Sequence, residues 1–186
     1  MKTIFLFTVG IILLCSSSSI AQIIPERSPD SREILLKGIE LYDNGELKEA
    51  ASLFGKVHRN DSSYMLSLYE KALALQRDSL YEEALLNIEL ALKQENYQSI
   101  HDHLLLRANI IDDMGKPEEA LRLYDSVLKY YPASIVARSQ KVTTLYRLKR
   151  YDEAEVLARE CVVMNYLNPL YHYKLGYITW QQGKIV

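Results

Sequence analysis

A Glu-Ala pair recurs in this chain as Glu49-Ala50, Glu83-Ala84, Glu119-Ala120 and Glu153-Ala154, at spacings of 34, 36 and 34 residues. A period of this length constrains the fold more than any composition does, because so short a unit cannot bury a hydrophobic face alone and must stack on its neighbours. The intervals within each unit are helical. Gly38, Ala72, Ala108, Val142 and Gly176 recur in one segment, and Leu41, Leu75, Ile111 and Leu145 follow three residues later. In the second segment Phe54, Ile88, Tyr124 and Ala158 stand four residues beyond each Ala of the pair. Val57, Ala91, Val127 and Cys161 lie three further on. Small residues where two helices cross let the backbones approach closely, and the larger ones fill the seam.

The punctuation between segments gives hairpins of two antiparallel helices. The first spans about residues 31–58 and turns at Asn44-Gly45, where glycine suits the left-handed residue that ends a helix. Asp30 and Glu33 form a capping-box pattern at its start. The second hairpin, residues 63–95, turns near Asp78-Ser79. The third, 99–130, turns at Gly115-Lys116, with Pro117 in the first turn of the next helix, where its missing N–H costs little. A fourth, 134–165, turns at Lys149-Arg150, and a last helix runs from Asn168-Pro169 to Gly183. The units fall at about 31–64, 65–98, 101–134 and 135–168, with a partial one at 169–186. The two extra residues between units two and three belong to 94–99.

These residues resemble the tetratricopeptide repeat (TPR), a helix-turn-helix unit of about 34 residues. Ala108, Gly115, Ala120, Tyr124 and Pro132 of the third unit all stand at favoured positions, as do Tyr81 and Tyr151 at the family's aromatic place. The tryptophan common early in each first helix is replaced by Ile34, Leu68 and Leu104, while Arg138 and His172 depart from the pattern. The resemblance implies an all-α, right-handed solenoid of antiparallel hairpins, whose first helices line a concave face. By that resemblance the inner surface holds Leu35, Ile39 and Tyr42, then Tyr69, Leu73 and Gln76, then Asp102, Leu105 and Asn109, then Ser139, Thr143 and Tyr146, and finally Tyr173, Tyr177 and Trp180. Such an apolar and aromatic lining suits a peptide with bulky side chains. Family members that grip chaperone C-terminal tails use a lysine and an asparagine in the first repeat, where this chain has Leu35 and Ile39.

Lys2, the apolar run of residues 4–14 and the exit Ser19-Ile20-Ala21 make residues 1–21 a secretory signal peptide, cleaved before Gln22. Lipidation at Cys15 is the rival, but Leu14 occupies the place where such processing needs a small residue. Pro25 and Pro29 make residues 22–30 an extended lead-in. Without the leader the chain has 22 basic residues less Lys2 against 24 acidic ones, interspersed, which gives no electrostatic footprint for nucleic acid. Cys161 is then the one remaining cysteine, so no internal disulfide forms in the periplasm or cell envelope.

No phosphate loop, nucleophile elbow or paired-His motif is present, so no catalytic residue, metal, cofactor or small-molecule substrate is expected and the chain reads as a non-enzyme. His101-Asp102-His103 has the wrong spacing for ligands on one helix face, and Asp112-Asp113 reads as a polar helix end. Cys161 takes a compact packing position. The Glu of each pair sits where a helix N-terminus favours a carboxylate. Residues 184–186 stop where a further second helix would begin, so Leu175, Ile178 and Trp180 are expected to form an exposed apolar patch open to self-association. The expected function is a protein-binding scaffold or adaptor that holds a partner protein or peptide; the alternative is the sensor region of a longer membrane signalling protein.

Overall fold

The computed structural model describes residues 30–93 and 100–184. The expected leader and lead-in, the expected link between units two and three at residues 94–99, and residues 185–186 lie outside the described residues. These contain helices α1 (Ser31–Asp43), α2 (Leu47–Phe54), α3 (Tyr64–Arg77), α4 (Tyr81–Leu92), α5 (Ile100–Asp113), α6 (Pro117–Tyr130), α7 (Ile135–Arg147), α8 (Tyr151–Met164) and α9 (Pro169–Gln181). Among them no helix is long and apolar enough to cross a membrane. Each helix packs on the next in sequence, so the chain is a stack of α-hairpins. The first helices also touch one another, α1 with α3, α3 with α5 and α5 with α7, while no comparable contact joins successive second helices. The first helices therefore form the inner side of the solenoid.

One turn geometry is repeated in every unit. Gly45, Ser79, Gly115, Lys149 and Gly183 all have positive φ, between 60° and 83°. In each case the next residue's N–H reaches back to close the helix end: Glu46 to Leu41, Leu80 to Leu75, Lys116 to Ile111, Arg150 to Leu145 and Lys184 to Thr179, at 2.8–3.2 Å. This is the Schellman pattern. The following helices α2, α4, α6 and α8 begin without a side-chain cap, and acids in their first turns, Glu49, Glu83, Glu119 and Glu153 among them, meet the positive end of the helix dipole instead. At α1, Asp30 accepts from the N–H of Arg32 at 3.2 Å, one residue earlier than a capping box requires.

The alanines of the repeated pair, Ala50, Ala84, Ala120 and Ala154, have no exposed surface. Around them the two facing positions trade volume. Gly38 meets Phe54, and a Cβ added to Gly38 would collide with the ring. Ala72 shares a cluster with Ile88, Ala108 with Tyr124, and Val142 with Ala158. Interiors packed to crystal density require this compensation. Cys161 is buried, and burial pushes its thiol up from the ordinary range. Arg138, at a place the family fills with an apolar side chain, donates to Glu160 at 2.8 Å and to the Pro132 carbonyl at 3.0 Å, so a guanidinium with satisfied N–H groups closes that seam.

Two substitutions follow. Gly38→Ala should lower the unfolding free energy by about 1–3 kcal/mol through overpacking, and adding Phe54→Ile, the size used in the second unit, should restore part of it in urea melts. Lys149→Gly should raise stability by roughly 1 kcal/mol, because a non-glycine residue with left-handed φ carries about that strain.

Candidate functional site: the inner face

The inner face divides into three zones. At the N-terminal end the tyrosines are engaged within the protein. The Arg77 guanidinium lies 5.0 Å over the Tyr42 ring, and Tyr69 packs on His103 at 4.9 Å. Leu35 is not on the open surface as expected. It is 7% exposed and belongs to the core with Ala50 and Phe54. Leu105 and Ser139, at the same register, are buried too, because successive first helices approach each other there. Ile39 is exposed, Leu73 half-buried and Asp102 exposed.

A polar cavity of about 400 Å³ opens in the middle, between α3, α5 and α7, lined by Gln76, Asn109, Asp113, Thr143 and Arg147 among others. Asp112 also lines it. This polar residue at the end of α5 is 7% exposed, and its Oδ2 accepts from Thr144 Oγ1 at 2.7 Å and from Arg147. Asn109 Oδ1 accepts from the Tyr124 hydroxyl at 2.8 Å, and Gln76 donates to Asp113 Oδ2 at 2.6 Å. Burial, with the Asp112 charge second, raises the Tyr124 phenol well above its ordinary range and keeps it a donor. The cavity was not foreseen. Its one sequence signal is Asp112, a charged residue at the inner register that Tyr42, Gln76, Tyr146 and Trp180 fill elsewhere.

The third zone is aromatic. Tyr146 stands 5.5 Å from Tyr151 and 5.2 Å from Tyr177, and Tyr177 in turn 6.0 Å from Tyr173 and 5.7 Å from Trp180. Tyr173 and Trp180 are both 67% exposed and Tyr177 is 40% exposed. Beside this ladder lies an apolar hollow of about 190 Å³ between α7 and α9, lined by Thr143, Tyr146, Tyr173, Lys174 and Tyr177. The hydroxyl of Tyr177 raises the Tyr146 phenol to about 12, so it remains neutral. Lys174, also unforeseen, donates to the Ser139 carbonyl, Ser139 Oγ and Thr143 Oγ1 at 2.7–3.0 Å, and burial pushes its amine down.

The expected apolar patch on α9 is smaller than its three residues suggested. Ile178 is buried and Leu175 packs against the same cluster, whereas Trp180 is open. Beyond α9, Lys184 holds Glu155 at 2.5 Å and Gln182 donates to Asp152 at 2.8 Å, tying the helix to α8. His101 lies 2.8 Å from Ser134 Oγ, whereas His103 faces Tyr69, so the two histidines diverge.

Comparisons with known proteins agree with this geometry. The tetratricopeptide repeat model matches residues 113–171. Among solved structures, the thermophilic TPR protein TTC0263 from Thermus thermophilus superposes with a TM-score of 0.68 at 18% identity, over 83% of this chain and 84% of its own. YrrB, a TPR protein with an unusual peptide-binding site, gives 0.58 at 20% identity over 87% and 82%. MamA from Desulfovibrio magneticus RS-1 gives 0.66 at 15% identity over 83% and 86%. A search of curated proteins returns no match. Residues 113–171 match the tetratricopeptide repeat, and the fold of the described chain is that of TPR proteins, an all-α solenoid of helical hairpins.

The Glu155 clasp has a pH signature. Lys184 first and Arg159 second hold its carboxyl at about 2, below the usual 4.5, so the stabilisation is whole above pH 4.5 and is lost as pH falls through about 2. The melting-temperature gap between the native protein and Glu155→Gln should therefore be present at pH 7, narrow below pH 4.5 and close near pH 2 in a calorimetric series.

Proposed function

We propose that the protein is a non-enzymatic scaffold of the periplasm or cell envelope, and that its inner face holds a peptide segment of a partner protein. The observation that carries this reading is the aromatic ladder of α7 and α9. On the inner face, where Tyr42 and Tyr69 are half-buried in internal contacts, Tyr173, Tyr177 and Trp180 stand exposed and contiguous beside an apolar hollow. Exposed aromatic clusters beside a cavity are the usual anchors of an interface, since Tyr and Trp offer large contact area with few rotors to immobilise. Tyr146, Tyr173, Tyr177 and Trp180 would take a bulky side chain, with Thr143 and Asn109 bonding the peptide backbone and Ile39 and Leu73 extending the track. Leu35, Tyr42 and Tyr69 would contribute by shaping the first helices, being held in internal contacts. The leader pattern of residues 1–21 supports export. The peptide-binding site named for YrrB supports a peptide as the occupant.

The double variant Tyr173→Ala with Trp180→Ala tests this, since both rings are open and their loss leaves the core intact. Affinity capture from envelope extract, read by quantitative mass spectrometry, should lose the partner by about tenfold or more while circular dichroism stays unchanged. Undiminished capture would contradict the groove assignment.

A further inference from the structure

From the central cavity we infer a second recognition site: it is built to receive a cationic side chain, Lys or Arg, carried by the same peptide that lays an aromatic residue on the ladder. The inference rests on the groove reading above and specifies what the groove selects. Asp112 is more than nine-tenths buried and lines the cavity, yet only its Oδ2 is engaged; Oδ1 is buried with no hydrogen-bond partner. A carboxylate oxygen out of water without a donor is unfavourable, and an incoming N–H donor relieves that.

The neighbouring groups decide the charge of that donor. Two carboxylates, Asp112 and Asp113, face the cavity against one guanidinium, and Arg147 is already committed to Asp112. One negative charge is thus left over. Asp113 is exposed and has given only Oδ2, to Gln76, so Oδ1 remains to accept. An ammonium or guanidinium in the cavity would bond to Asp113 at the rim and lie against the buried Asp112 carboxylate, forming a charge-assisted bond stronger than a neutral donor could make. A cavity of about 400 Å³ is in the range that takes a group of this size. An anionic side chain would confront two carboxylates against the one guanidinium of Arg147 and is disfavoured.

The position fixes the rest of the motif. Thr143 lines this cavity and the apolar hollow beneath the ladder, so the two sites share a wall. A cation and an aromatic ring a few residues apart on one extended peptide reach both.

Fluorescence anisotropy with labelled octapeptides provides the test. Each carries one Trp and, at spacings of one to four residues on either side, Lys, Arg, norleucine or Glu, with Ser and Gly elsewhere. At one spacing the Lys or Arg peptide should bind about tenfold tighter than its norleucine isostere, with the Glu peptide weakest. Asp113→Asn, a change at an exposed residue, should bring the Lys peptide to about the norleucine affinity and leave norleucine binding as it was. Equal binding of Lys and norleucine peptides, or a Lys preference that survives Asp113→Asn, would overturn the cavity assignment while the aromatic groove stands. Failure of every Trp peptide to bind would overturn both.

Discussion

Close approach of the two helices in each hairpin, over an alanine with no exposed surface, is the constraint from which the rest of this structure follows. Ala50, Ala84, Ala120 and Ala154 bring the backbones together, and at the facing positions a small residue is matched with a larger one: Gly with Phe, Ala with Ile, Ala with Tyr, Val with Ala. A hairpin that meets this rule presents a uniform flank, and only uniform flanks stack repeatedly. The recurring left-handed residue fixes the turn that each such crossing needs. At Ser79 and Lys149 that geometry holds without glycine, which shows that packing outweighs the local strain.

Stacking then makes the inner face. Because, among the described residues, successive first helices α1 to α7 approach one another more closely than the second helices do, side chains at the tightest inner register are swallowed, as Leu35, Leu105 and Ser139 are. Those on the next registers are mostly half-buried and line the groove, with Asp112 buried among them. Tyr173 shares the register of the three buried residues but stands exposed on α9, which has no first helix beyond it among the described residues. The groove therefore changes character along its length, from internally paired rings through a polar cavity to an open aromatic ladder. Lys174 couples the last two zones, holding Ser139 and Thr143 from below.

The hairpins, their turns and the buried alanines were legible in the sequence because they repeat, and a period averages over the accidents of any one unit. Gly45, Gly115 and Gly183 marked their turns directly, and Ser79 and Lys149 could be placed by register alone. The central cavity was not legible, because it depends on contacts between units that occur once: Asp112 with Thr144 and Arg147, 32 and 35 residues away. Nor could residue types alone separate the tyrosines that pack, Tyr42 and Tyr69, from those that stand open, Tyr173 and Tyr177. That depends on which neighbour covers them.

The central claim, that a partner lies along the inner face over the aromatic ladder, is tested most directly by hydroxyl-radical footprinting of the protein with and without its captured partner. Tyr173, Tyr177 and Trp180 should lose reactivity in the complex, while Tyr130, 70% exposed near the end of α6, keeps its own. Protection of Tyr130 with the ladder left reactive would contradict the account.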